Sequence, residues 1–364
     1  MAKPVFAIAG CRVAPGQVKD LRLKVSERYT GEDVILPVRV QHAKESGPVV
    51  LVTAAVHGDE LNGFGIVHQL MYGEPIELLK GTLVLVPVVN IFGFESQVRY
   101  MSDRRDLNRC FPGTSRGSLA SRVASTVFKK IISKCQIGID LHAAAAPRMN
   151  FPNVRGDQRN ATIRKVSRAF GCELILNSPG PEGSLRRAAT DAGCATICVE
   201  AGEPNKIEPA VLDIGVRGVQ NVLRSLGMLS GEVVAPPYQT RVDRAMWVRA
   251  ESGGILRFHV APGQVLEEGD AIATNLSVFG DLQNTLYAPA DGIVLGMTTL
   301  PSVQPGEPVC HLAIPRKSLP AIRRALRLSP KASHAKRVRA DMASSVSISE
   351  AEPGDPAGVG DTLD

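Results

Sequence analysis

Between Pro48 and about Gly227, short runs of β-branched residues alternate with amphipathic stretches, and this alternation constrains the fold more than any other feature of the chain. An apolar run with no polar side implies a strand covered on both faces, and a repeating strand–helix rhythm implies a parallel sheet. Val49–Val56, Thr82–Asn90, Ile137–His142, Glu173–Leu176 and Ala195–Glu200 read as strands. Leu61–Met71, Leu119–Lys134, Ala161–Phe170, Leu185–Ala192 and Ile207–Leu226 read as helices, with Ser118 and Ser184 as N-caps. The alternating Val34-Ile35-Leu36-Pro37-Val38-Arg39-Val40 reads as antiparallel strands added at one edge. The expected class is therefore α/β, a mixed, mainly parallel sheet flanked by helices, over residues 1–234.

Past the Ala235-Pro236-Pro237 breaker the texture changes to short strands punctuated by Gly and Pro, so residues 235–315 read as a smaller all-β domain. Gly254-Ile255-Leu256 followed by Val265 and Gly269-Asp270 resembles Gly292-Ile293-Val294 followed by Val303 and Gly306-Glu307. Such paired hairpins resemble the barrel-sandwich of biotinyl and lipoyl carrier domains. A carrier needs a lysine on its exposed turn, and none occurs from Ile207 to Arg316, which leaves a scaffold or lid role.

Of the 42 basic and 36 acidic residues, nine bases without an acid lie between Arg316 and Arg339, and six acids without a base lie from Asp341 to Asp364. Residues 316–364 thus read as a basic then acidic tail, Ser, Ala, Gly, Pro and charge from about Ser333 predict disorder there, and the basic part around Ile322–Arg327 reads as a solvated tail or else a short surface helix. The remaining body is nearly neutral and aromatics are only 4% of the chain, so a nucleic-acid face is not expected. No apolar run approaches the roughly 20 residues of a membrane helix. Seven cysteines, odd in number and without a CxxC pair, predict reduced thiols and a cytoplasmic setting.

The chemistry collects at predicted strand ends, where α/β sheets bind ligands. The first strand runs into His57-Gly58-Asp59-Glu60. His57 and Glu60, three residues apart, share one face if a helix starts there, although a solvated His beside a helix N-terminal carboxylate has the same spacing. The strand at Ile137 delivers His142, and two His with one carboxylate leave a fourth tetrahedral position, the pattern of a catalytic zinc site. Asp140, two residues earlier, shares the strand face of His142 and could support that imidazole or simply end a nearby loop. Ala195–Val199 delivers Glu200, a carboxylate that is costly at the end of an apolar strand unless paired or functional, and so a candidate general base. Glu203, past the strand and next to Pro204, reads as solvent-facing. The loop Arg99–Gly113 carries four arginines in eleven positions, suited to holding a carboxylate or a developing oxyanion, or else a solvated basic loop. His68 reads as a packed or surface residue, and His259 and His311 as residues of the β domain far from the site.

Together His57-Gly58-Asp59-Glu60, Asp106-Leu107-Asn108-Arg109, Asp140-Leu141-His142 and Val199-Glu200, in this order, resemble the succinylglutamate desuccinylase/aspartoacylase family of the zinc carboxypeptidase superfamily. The resemblance implies a zinc carboxypeptidase-like fold and one zinc ion per chain on His57, Glu60 and His142. It further implies Glu200 as the base and Asn108 with Arg109 as the holders of the carboxylate of an N-acyl amino acid. Arg99 resembles the arginine that polarises the scissile carbonyl, with Arg104 or Arg105 as alternatives. Arg186 or Arg187 corresponds to an arginine that binds the acyl or side-chain carboxylate. Tyr287 is a candidate for a tyrosine closing on the substrate, and family habit implies a homodimer. The expected activity is a zinc-dependent amidohydrolase acting on a small N-acyl amino acid, with no membrane or nucleic-acid partner. A metallocarboxypeptidase using the same apparatus, or a zinc-binding protein without catalysis, are the alternatives.

Overall fold

The computed structural model describes residues 5–329 and 333–342. Val50, Val52 and Ala54 of the strand Glu45–Ala54 face one apolar layer while Leu51 faces another, so the strand is sealed on both sides. The first layer is completed by the helices Leu61–Tyr72, Ala161–Phe170 and Pro209–Ser225, the second by Leu119–Lys130 and Leu185–Asp191. Ser118 and Ser184 each accept a backbone N–H at a helix start, from Ser121 and Arg187.

A twelve-stranded sheet runs through the molecule. At its centre Ala195–Gly202, Ile137–His142, Glu45–Ala54 and Lys80–Val86 pair in parallel, and Asp33–His42 and Gln17–Glu27 extend that edge antiparallel. On the other side of Ala195–Gly202 comes Arg148–Gly156, antiparallel to it. This strand was not expected, because Arg148, Asn150, Pro152, Asn153 and Arg155 break any apolar pattern. It pairs in parallel with Leu174–Asn177, which pairs in parallel with Thr240–Arg249. Thr240–Arg249, Pro308–Pro315, Gly292–Thr298 and Val265–Leu266 then continue the sheet antiparallel. The sheet is thus parallel at its centre and mixed overall.

In the β-rich C-terminal part a separate four-stranded sheet is built from Leu282–Tyr287, Ala271–Leu276, Gly254–Phe258 and Ser302–Val303. The two similar segments exchange their second halves: Val265 pairs with Ile293 of the second, and Val303 pairs with Gly254 of the first. Two sequence expectations are corrected. The helix expected over Leu119–Lys134 ends at Lys130 and resumes as a 3-10 turn, Ile132–Lys134. The basic segment is not disordered as far as residue 342. Leu319–Leu328 and His334–Met342 are helices, and Leu319, Ile322, Val338 and Met342 bury themselves in the C-terminal core, which local charge density concealed. The acidic stretch beyond Met342 lies outside the described residues.

Candidate metal centre and surrounding pocket

At the end of Glu45–Ala54 the chain passes through Ala55 in the left-handed region (φ 48°) and turns through His57–Glu60 into the helix Leu61–Tyr72. Gly58 permits that turn. A Cβ there would lie 1.9 Å from the carbonyl carbon of Gly93, so no larger residue fits against this backbone. One strand over, Ile137–His142 ends with His142, and in the next strand Glu200 stands opposite His142 in parallel register. Three strand ends therefore deliver four polar side chains to one place.

His57, Glu60 and His142 are buried, and their donor atoms lie within 4.8 Å of one another. Glu60 Oε1 lies 2.6 Å from His57 Nδ1, and Oε2 lies 2.7 Å from His142 Nδ1. Each imidazole is held from behind through its other nitrogen. Asp106 Oδ1 lies 3.2 Å from His57 Nε2, and Asp140 Oδ2 lies 2.9 Å from His142 Nε2. Thr53 Oγ1 donates to Asp140 Oδ1 at 2.7 Å, which fixes that carboxylate in turn. Sequence reasoning anticipated the Asp140 contact as one of two alternatives; it did not anticipate Asp106, which also caps the turn Leu107–Arg109 by accepting the Asn108 N–H.

Burial disfavours a charged His57, yet the charge of Glu60 and the hydrogen bond His57 donates to Asp106 outweigh it and raise its pKa. The pKa of His142 is raised well above the ordinary imidazole value, burial being outweighed there by Asp140 and Glu60. Burial likewise opposes ionisation of Glu60, but the two imidazoles hold its carboxyl well below the usual range. Asp106 is also held low, by His57 and Arg99 against its own desolvation. Three carboxylates thus converge on two imidazoles, and the cluster favours additional positive charge.

A cavity of about 340 Å³ opens onto this cluster. Its wall includes five of the residues singled out from the sequence, Arg99, Asn108, Arg109, Arg186 and Glu200. Arg99 Nη2 donates to Asp106 Oδ2 at 3.0 Å, and its Nη1 lies 3.4 Å from Glu60 Oε1. Its alternatives Arg104 and Arg105 are exposed and do not line the cavity. Asn108 accepts the Leu185 N–H through Oδ1 at 2.8 Å, and the Phe111 N–H donates to Gly183. These bonds staple the turn to the start of the helix Leu185–Asp191. Gly183 (φ 77°) allows the approach, since a Cβ there would stand 2.3 Å from the Arg109 carbonyl oxygen. Arg186 is buried in the wall, whereas Arg187 is exposed and pairs with Asp191. Glu200 Oε2 accepts from Asn150 Nδ2 at 3.0 Å, and its Oε1 lies 3.4 Å from Arg155 Nη1.

Two expectations about this region fail. Glu203 does not face solvent: it is buried, with Oε2 2.6 Å from Lys206 Nζ, because the chain after the strand folds back under Asn62 and Glu208. His311 is not remote from the site; it lines the cavity beside Trp247, the two rings stacking at 4.2 Å and 8°. They stand opposite each other on Thr240–Arg249 and Pro308–Pro315, a pairing across 64 positions that no local pattern signals. Arg148, Asn150 and Arg155 also went unnoticed, since they ride on the unexpected strand. Tyr287 is 55% exposed and outside the cavity wall, His68 is exposed between Phe64 and Tyr72, and His259 bonds Thr274 within the C-terminal part.

Comparison with known proteins bears on the family and the fold. Residues 46–226 match the model of the succinylglutamate desuccinylase/aspartoacylase catalytic domain. The N-alpha-acetyl-L-2,4-diaminobutyric acid deacetylase of Halomonas elongata is 27% identical over 294 residues, covering 77% of this chain and 86% of that protein. Among solved structures, the product-bound ectoine utilization protein EutE (DoeB) of Ruegeria pomeroyi superposes with a TM-score of 0.71 at 22% identity, over 82% of this chain and 95% of its own. A succinylglutamate desuccinylase/aspartoacylase of Rhodobacter sphaeroides gives 0.72 at 24%, over 83% and 96%. At these identities the structural likeness bears on the fold.

Proposed function

The chain belongs to the succinylglutamate desuccinylase/aspartoacylase family of deacylating hydrolases, and from that premise we propose that it is a zinc-dependent amidohydrolase that removes the acyl group from an N-acyl amino acid or similar small carboxylate-bearing amide. The observation that carries this reading is the buried His57–Glu60–His142 donor set with a further carboxylate, Glu200, in register beside it. The set fits zinc. It offers two imidazole nitrogens and one carboxylate on neighbouring strand ends, with acids behind both rings to fix their orientation, and its excess of negative charge suits a divalent cation. Zinc held there would supply Lewis acidity and lower the pKa of a water molecule.

The remaining roles fall to the protein's own groups. Glu200 takes the proton from the attacking water and returns it to the leaving nitrogen, and Asn150 and Arg155 hold its oxygens for both transfers. Arg99, tethered to Asp106 beside the donor set, faces the charge that develops on the scissile carbonyl oxygen. Asn108 has Oδ1 committed to Leu185, so its amide nitrogen, with the Arg109 guanidinium, is left for the substrate carboxylate. Trp247 and His311 wall the cavity from the C-terminal strands, which supports a small N-acyl substrate over a peptide. The test is primary-amine release from N-acetyl, N-succinyl and N-formyl amino acids before chelation, after it, and after zinc is restored. Release that disappears and returns supports the proposal, and release indifferent to chelation refutes it.

A further inference from the structure

We propose that Arg148, held against the face of Trp247, is a further substrate-binding residue that recognises a second carboxylate, carried by the acyl group or by the amino-acid side chain. This rests on the amidohydrolase reading above and assigns a specificity determinant within it. Five guanidinium groups line the cavity, those of Arg99, Arg109, Arg148, Arg155 and Arg186, against three carboxylates, Glu60, Asp140 and Glu200. All three acids are engaged: Glu60 by both imidazoles, Asp140 by His142 and Thr53, Glu200 by Asn150 and Arg155. Arg99 is paired with Asp106, and Arg109 donates Nη1 to the Asn108 carbonyl.

Among the described residues Arg109, Arg148 and Arg186 have no anionic partner, and with Arg109 assigned above to the first substrate carboxylate two cations remain. Arg186 is 8% exposed, with Nε and Nη1 buried and unpartnered. Among the described residues the guanidinium of Arg148 makes no hydrogen bond or ion pair, and its one specific contact there is with the indole of Trp247, 5.4 Å from Cζ to the ring centroid. Cation–π contact positions a guanidinium without consuming its donors, so the fork of Arg148 stays available to a carboxylate. Trp247 is fixed in turn by stacking on His311. His311 is no rival cation at neutral pH, because burial, aided by Arg155 and Arg148, pushes its pKa down to about 4. Trp247 is a positioning residue for Arg148. A substrate with a second negative charge satisfies donors that otherwise remain bare, whereas a side-chain ammonium, as in the substrate named for the Halomonas relative, meets no uncommitted acid in this wall.

The experiment compares kcat and KM for N-acetyl-L-alanine, N-acetyl-L-aspartate and N-succinyl-L-alanine, whose second carboxylate is absent, on the side chain and on the acyl group respectively. The parent protein prefers one dicarboxylate in kcat/KM. Arg148→Gln lowers that preference at least tenfold, chiefly through KM, and Arg148→Lys restores part of it. Trp247→Leu acts in the same direction, while Trp247→Phe, which keeps an aromatic face, retains most of the preference. An unchanged preference in Arg148→Gln, or an equal loss on all three substrates, overturns the assignment while leaving the amidohydrolase reading in place. Should no substrate turn over, that reading fails and binding still decides the present one. Trp247 is the single tryptophan of the chain, so its emission reports ligands at Arg148. Succinate should perturb that emission at a concentration at least tenfold below acetate in the parent, and the difference should vanish in Arg148→Gln. Equal responses to the two anions overturn it.

Discussion

Asp140→Asn removes one charge and almost no volume, yet it should weaken zinc binding ten- to hundredfold. Asp140 lies behind His142, with Oδ2 2.9 Å from Nε2 and Oδ1 accepting from Thr53 at 2.7 Å. While Asp140 accepts a hydrogen bond from Nε2–H, the lone pair of Nδ1 is free to point toward the metal position shared with Glu60 and His57. Asparagine that keeps its oxygen on Thr53 turns its NH2 toward Nε2, which selects the tautomer with Nδ1 protonated and unable to ligate. Asparagine that flips keeps an acceptor on Nε2, but a neutral one, and Thr53 must then reverse its own bond. Removing such a support costs roughly ten- to hundredfold in metal affinity, or about 1.4–2.7 kcal/mol. Competition against a chromophoric chelator measures it, with circular dichroism confirming that the variant folds. Affinity within twofold of the parent would refute the argument that Asp140 sets the tautomer of a ligand.

Gly58→Ala should destabilise the protein by about 3 kcal/mol, at or beyond the upper end of ordinary overpacking, because its Cβ meets the Gly93–Phe94 backbone at 1.9–2.3 Å; urea unfolding measures it, and a loss below about 1 kcal/mol would contradict the contact. Glu173, buried with Oε1 accepting the His334 N–H at 3.0 Å, has its pKa pushed up by burial to about 7. A folded-state value above the unfolded one means that its contribution is fully present below about pH 4.5 and lost as the pH rises through about 7. Glu173→Gln should therefore gain about 1–3 kcal/mol on the parent at pH 8 and little at pH 4.5, as read from unfolding midpoints at the two pH values.

The parts of the site legible in the sequence are those that local pattern carries. Val49–Val56, Ile137–Ile139 and Ala195–Val199 are almost wholly apolar, so each identifies its own strand, and a polar residue at such an end announces itself as His142 and Glu200 do. What was missed depends on distant pairing. Arg148–Gly156 is held in the sheet by neighbours on both sides rather than by its own pattern, and with it came Arg148, Asn150 and Arg155. Trp247 and His311 reach the cavity only because Thr240–Arg249 joins the sheet beside Leu174–Asn177. Glu203 looked exposed by its neighbours in sequence and is buried by Asn62, Lys206 and Glu208. The helices Leu319–Leu328 and His334–Met342 show the same limit, since a few buried apolar side chains against an existing core outweigh a strongly basic composition.

In the proposed reaction Glu200 moves the proton in an amide hydrolysis at a zinc held by His57, Glu60 and His142. The most direct measurement is amine release from an N-acyl amino acid by the parent and by Glu200→Gln, at matched zinc content determined on the same samples. Glu200→Gln should lower kcat by about 10²–10⁴ with zinc content unchanged, the range for loss of a general acid–base group. Equal rates at equal zinc content would contradict it.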